Sequence, residues 1–136
     1  MTARELLERI IRLRKAIDYR KTKIQVLAAQ AERTSARLTG MPHSPGKGSS
    51  QMEAVACRKM DLEREISELD AERRALIAQI DLLENGDLSR LLTLRYVQEE
   101  KWEDIMAEMC FCRSHIFRLH QQAILLLENS LKDGTK

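Results

Sequence analysis

From Leu6 onward the apolar residues recur at alternating steps of four and three: Leu6, Ile10, Leu13, Ile17, Ile24, Leu27, Ala31 and Leu38. Arg20 and Thr34 occupy the two remaining positions of that stripe. The spacing predicts a long amphipathic helix with a coiled-coil seam. Thr2 and Glu5 suit a capping box at its start, and Gly40 suits the left-handed residue after its end. A second seam runs through Met52, Val55, Leu62, Ile66, Leu69, Leu76, Ile80 and Leu83, interrupted by Lys59 and Arg73. Ser50 and Glu53 predict a second capping box, and Asn85-Gly86 a stop. Between the seams, GMPHSPGKGSS (40–50) holds both prolines and reads as a flexible loop. Two seams of similar length joined by such a loop predict an antiparallel helical hairpin over residues 1–86. Leu7 and Ile77 widen its apolar face at the open end, where a third element can pack.

After Gly86 the heptad pattern stops. Leu88, Leu91, Leu92 and Tyr96 have helical spacing, with Asp87 placed to cap them. Trp102, Ile105, Met106 and Met109 mark a short helix, Cys110-Phe111-Cys112 a break, and Ile116, Leu119, Ala123 and either Leu126 or Leu127 the inner face of a longer helix from Arg113 to Leu131. A short helix, a tight turn and a longer helix, in residues 87–136, is the plan of a helix-turn-helix domain. The fold class expected is therefore all-α.

Composition agrees with helices. About half of the 136 residues are Ala, Glu, Lys, Leu or Arg, and five glycines and 4% aromatics leave little for a sandwich or a nucleotide-binding α/β fold. The formal net charge of +2 hides its distribution. Residues 1–39 carry ten Lys/Arg against four Asp/Glu, and residues 51–86 five against nine, so the two seams can pair by charge as well as by apolar contact. The stretch Glu99–Glu108 holds five acids, whereas Met109–Leu127 holds none and carries Arg113, His115, Arg118 and His120. Phosphates repel carboxylates, so an acid-free helix is what entry into a DNA groove requires.

Other chemistry finds less support. Gly46-Lys47-Gly48 lacks the spacing of a phosphate-binding loop. Cys110, Cys112, His115 and His120 lack the spacing of a structural zinc site, and the two histidines point about 140° apart on a helix. Glu103, Asp104 and Glu108 read as a solvated helix face. No metal, cofactor or catalytic constellation is expected, so the chain is read as a non-enzyme. Three cysteines form no disulfide framework, and MTARELLERIIRLRK has no apolar signal region, so an intracellular, reducing compartment is expected.

The segment LLTLRYVQEEKWEDIMAEMCFCRSHIFRLHQQAILLLE resembles region 4 of sigma-70-type factors, and more closely the C-terminal domain of small phage-encoded transcriptional regulators of the ArpU/RinA kind. Leu94-Arg95-Tyr96, Trp102-Glu103-Asp104-Ile105, Arg113-Ser114 and Arg118-Leu119-His120 with Ala123 carry the likeness, over roughly residues 88–128. The resemblance implies a regulator in the cytoplasm of a bacterial host, binding double-stranded DNA. It places Ile116 and Leu119 in the core and Arg113, Ser114 and Arg118 toward bases. It puts His115 and Phe117 on the exposed or backbone-facing side, and His120, Gln121 and Gln122 where they can reach phosphates. Two positions depart from the pattern: Cys110 stands where a small flexible residue is usual, and Cys112 where Ser or Thr caps the helix. The hairpin is expected to form a homodimer or higher oligomer, or to dock a partner. Two further readings stay open: an interaction protein that binds RNA polymerase or another protein, and a phage packaging protein resembling a small terminase subunit.

Overall fold

A computed structural model describes residues 1–38 and 47–134, and the side chains of 1–33 and 51–133. The described residues form five α-helices and one π-helical turn, with no strand: α1 Ala3–Leu38, α2 Lys47–Asp81, α3 Gly86–Leu92, the π turn Thr93–Val97, α4 Trp102–Met109 and α5 Arg113–Gly134. The protein is all-α. The loop expectation falls mostly on residues outside those described, as does the Gly40 stop. Residues 47–50, expected in that loop, are helical. The Ser50 side chain lies outside the described set.

The chain packs as two compact units, Met1–Arg14 with Ala71–Lys136, and Lys15–Asp70. In the first, α1 starts on the expected capping box. Thr2 Oγ1 accepts from the Glu5 N–H at 3.2 Å, and Glu5 Oε2 from the Thr2 N–H at 3.1 Å. A second carboxylate serves the same end of α1: Glu128 of α5 accepts from the Ala3 N–H at 3.1 Å. Negative charge there answers the partial positive charge of the helix start.

The core of this unit is assembled from four helices. Leu6, Leu7 and Ile10 of α1, Ile80 at the end of α2 and Leu83 beyond it, Leu88 and Leu92 of α3, and Ala123 and Leu127 of α5 are buried together. Ile77 packs against them, so the widened face at Leu7 and Ile77 is where the third element sits. Each fully buried Leu or Ile contributes about 1.5–3 kcal/mol, so this cluster outweighs any exposed ion pair in the unit. α1 and α2 run antiparallel here: residues 3–7 meet 80–83, while Arg9 forms a two-bond pair with Glu72 at 3.0 and 3.2 Å. A second cluster, Leu91, Leu94, Ile105, Met109 and Ile116, holds α3, α4 and α5 together, and Leu119 touches both clusters.

Three local expectations are corrected. α2 ends at Asp81, before Asn85. Its last carbonyls are served instead by local donors: Ile80 O accepts from the Leu83 N–H and from Ser89 Oγ, each at 3.1 Å. The cap of α3 is Asn85, not Asp87. Asn85 is extended at φ −103° and ψ 113°, which lets its side chain accept from the N–H groups of Asp87 and Leu88. The helix expected through residues 88–97 changes to a π turn at Thr93. There the Gln98 N–H reaches Thr93 O at 2.9 Å and the Glu100 N–H reaches Leu94 O at 2.9 Å. Glu99, at φ 52°, makes the left-handed step that closes this wide turn.

The second unit carries the seam in a shallower form. Among its described residues Ile17 and Leu62 are buried, and Ile24, Leu27, Val55, Ile66 and Leu69 are only half-buried. Arg20, a polar seam residue, pairs with Glu65 at 2.9 Å.

Candidate nucleic-acid interface

α4 and α5 are joined by a three-residue turn whose geometry explains its sequence. Cys110 ends α4 in the left-handed conformation, at φ 58° and ψ 38°, with its N–H on Met106 O. A residue with a Cβ is strained there, which is why a small flexible residue is usual. Cys112 begins α5. Its Sγ lies 3.4 Å from Ser114 Oγ, and its main-chain carbonyl accepts from the Ile116 N–H at 3.0 Å. The Ser114 hydroxyl first, and the His115 backbone N–H next, hold the Cys112 thiol below its ordinary pKa.

The faces of α5 follow from three buried residues. Ile116, Ala123 and Leu127 are fully enclosed and fix the inner side. Ser114, Arg118, Gln121 and Leu125 lie opposite and are exposed. Arg113 and Phe117 fall on one flank, beside α4. His115 and Gln122 fall on the other. Arg113 and Gln122 are exposed, while His115 and Phe117 are half-buried. Phe117 packs on Trp102 with ring centroids 5.1 Å apart, and His115 packs edge-on to Phe111 at 4.5 Å. The seven residues expected at an interface thus share the outer face and both flanks of one helix, but five are exposed and two are partly spent on packing.

His120 lies on the inner side. Its Nε2 is 2.7 Å from Tyr96 Oη, its ring stacks on that tyrosine, and Trp102 meets it edge-on at 5.1 Å. Burial, and then the charges of Arg4 and Arg95, lower its pKa and keep it neutral. It is a packing residue of this domain. Burial likewise raises the pKa of Tyr96.

The electrostatics of α4 and α5 are opposite. Glu100, Asp104 and Glu108 gather beside α4. The Glu100 carboxyl is held above its usual range by burial foremost, and by Glu108 and Asp104 next. From Met109 to Leu127 there is no carboxylate, and Arg118 forms no ion pair or hydrogen bond among the described residues. No three His, Cys, Asp or Glu side chains among the described residues group as metal ligands.

Sequence reasoning assigned no role to Leu125, which is 64% exposed on the outer face of α5. Its position nine residues after Ile116, half a turn out of phase with the inner face, was the available signal. Two cations outside α5, Arg95 and Lys101, also border α4 and were not singled out. Arg95 was visible only as part of Leu94-Arg95-Tyr96.

The result is an all-α protein whose last helix carries no carboxylate from Arg113 to Leu127 and rests on a bed of aromatic and aliphatic packing. The chain belongs to the family described as "Protein of unknown function (DUF1492)", whose model matches residues 50–128, more than half of the chain and all of α3 and α4. No curated protein and no solved structure matches it. No helix among the described residues is long and apolar enough to cross a membrane.

Proposed function

We propose that this protein is a non-enzymatic, sequence-specific DNA-binding regulator of transcription, in which α4, the turn and α5 act as a helix-turn-helix. α5 enters the major groove, and α4 crosses the backbone. One observation carries this reading: Ser114, Arg118 and Gln121 share the solvent face of a helix that has no carboxylate over its first four turns or so. The unpaired Arg118 fork suits the O6 and N7 acceptors of guanine. The resemblance to sigma region 4 and to ArpU/RinA-type phage regulators supports a regulatory role in the cytoplasm of a bacterial host.

The hairpin helices supply association. In the unit Lys15–Asp70 the seam is half-covered, and Tyr19, Val26, Met52 and Met60 are exposed. A second copy of the chain is the simplest cover, and a dimer would read two half-sites. The same observation favours a second reading, in which the hairpin is the working part of an interaction protein whose C-terminal domain docks on RNA polymerase or another protein, or in which the chain builds a packaging ring.

Selection from a random duplex library, followed by salt titration, tests the main reading. Enrichment of one motif is expected, with affinity falling steeply as salt rises. Arg118→Ala should lose about 1–3 kcal/mol of preference at one base position. No enrichment, with binding indifferent to salt, rejects it. Light scattering separates the two assemblies: a dimer supports the regulator, and a ring of roughly eight or more subunits supports packaging.

A further inference from the structure

We propose that the cleft bordered by Arg95, Lys101, Trp102, Glu103, Met106 and Arg113 seats a phosphodiester of the DNA backbone, and that Arg113 is consequently a backbone anchor and not a base reader. This rests on the DNA-binding reading above and assigns the division of labour within it.

Two guanidinium groups are already fixed at the cleft. Arg95 lies over the Trp102 ring, 4.6 Å from its centroid, and its Nη1 donates to Glu100 O at 3.0 Å. Arg113 lies over Phe117 at 5.5 Å, and Phe117 packs on Trp102. Stacking on neighbouring rings restricts both planes before any ligand arrives, so little side-chain freedom is left to lose on binding. Lys101, exposed at the start of α4, adds a third cation. None of the three is ion-paired among the described residues. Glu103 is the one carboxylate on the border, so the cleft keeps an excess of two positive charges. A planar guanidinium fork and an ammonium match the oxygens of a phosphodiester.

Helix geometry separates Arg113 from Arg118. Five residues at about 100° each place their side chains roughly 140° apart around α5. Both cannot face the base edges of one groove. With Ser114, Arg118 and Gln121 toward the bases, Arg113 reaches sideways to the groove wall, where the phosphates stand, and does so next to Lys101 and Arg95. Contacts of that kind set register and orientation on the duplex without carrying sequence information.

The experiment uses the full chain and two duplexes of equal length, the best one selected from the random library and an unrelated one. Lys101→Ala and Arg113→Ala should each weaken binding to both duplexes by the same factor. Each should also reduce the slope of log affinity against log salt by about 0.9, with the preference between duplexes unchanged. Arg113→Lys should restore the slope. Trp102, the only tryptophan, should change its emission when wild type binds, and change less in Lys101→Ala. Circular dichroism checks that each variant remains helical. The cleft assignment is overturned if Arg113→Ala erases the preference while the slope stands. It is equally overturned if both alanine variants match wild type in affinity and slope while wild type still discriminates. In those two cases the DNA-binding reading survives. Wild type that binds neither duplex overturns both.

Discussion

Tyr96 Oη lies 2.7 Å from His120 Nε2, with the two rings stacked at 5.8 Å, so the π turn is tied to α5 by one polar and one aromatic contact. The two pKa shifts favour the same state. Burial lowers the histidine and raises the tyrosine, so both stay neutral and the hydroxyl can donate to a bare Nε2. The sign of the pH dependence follows. A histidine lowered by folding stabilises the fold fully above its unfolded pKa of about 6.5, and that contribution is lost as pH falls through this value and below it. A tyrosine raised by folding loses its contribution as pH rises above about 10. Urea midpoints should therefore fall between pH 7.5 and 5.5, and His120→Gln should flatten that fall. An unchanged slope in the variant would place the titrating group elsewhere. Tyr96→Phe should cost about 1 kcal/mol at neutral pH.

Cys110 holds a left-handed backbone with a side chain attached. Cys110→Gly should stabilise the protein by about 1 kcal/mol, measured by chemical denaturation, because the Cβ penalty disappears. Cys110→Val should do the opposite. The weak thiol contact to Ala107 O, at 3.7 Å, is too long to reverse the order.

Arg14 of α1 and Arg73 of α2 both donate to the carbonyl of Val97, at 3.4 and 3.2 Å. That oxygen belongs to the last turn of the π segment, where no intrahelical partner remains. Arg14 also pairs with Glu99 at 2.9 Å. Because the two arginines share one acceptor, Arg14→Met and Arg73→Met should not add. The double variant should lose more than the sum of the singles, with a coupling of about 1 kcal/mol in a denaturation cycle. Strict additivity would mean the shared carbonyl contributes nothing.

Cys112 should alkylate faster than Cys57 and Cys110 at neutral pH, followed by mass spectrometry of the three sites. All three are exposed, and at Cys112 the Ser114 hydroxyl lies 3.4 Å from Sγ and lowers the thiol pKa, which favours the thiolate. Denaturation should bring the three rates together. Cys112→Ser, which puts a hydroxyl at the position before α5, should be more stable than Cys112→Ala by about 0.5–1 kcal/mol.

Particular residues mark how far the order of amino acids could be read. The limits of α4 at Trp102 and Met109, and the start of α5 at Arg113, were legible because apolar spacing stops and restarts around Cys110-Phe111-Cys112. Thr2 and Glu5 announced their own cap. The Asn85 cap was not legible, because Asp87 has an equally suitable side chain and only the backbone angles at residue 85 decide between them. The π turn left no trace, since one extra residue per turn scarcely alters a four-residue apolar pattern. On α5, Ser114 and Arg118 were placed outward by the resemblance to sigma region 4, with Gln121 set further along the helix, and all three are exposed. That Phe117 and His115 are partly covered required knowing where Trp102 and Phe111 lie.

Arg73 shows the same division. Its place on an apolar seam announced a need for a partner, and nothing in the pattern named a carbonyl twenty-four residues onward. Local periodicity and capping chemistry were enough to specify an all-α chain and a last helix whose first fifteen residues carry no acid, because those depend on neighbours within one or two turns. Contacts between distant segments, Glu128 on the first turn of α1, Arg14 and Arg73 on Val97, Tyr96 on His120, were decided by packing. Burial of the aliphatic residues brings the helices together, and only then do these polar groups find which partners are within reach.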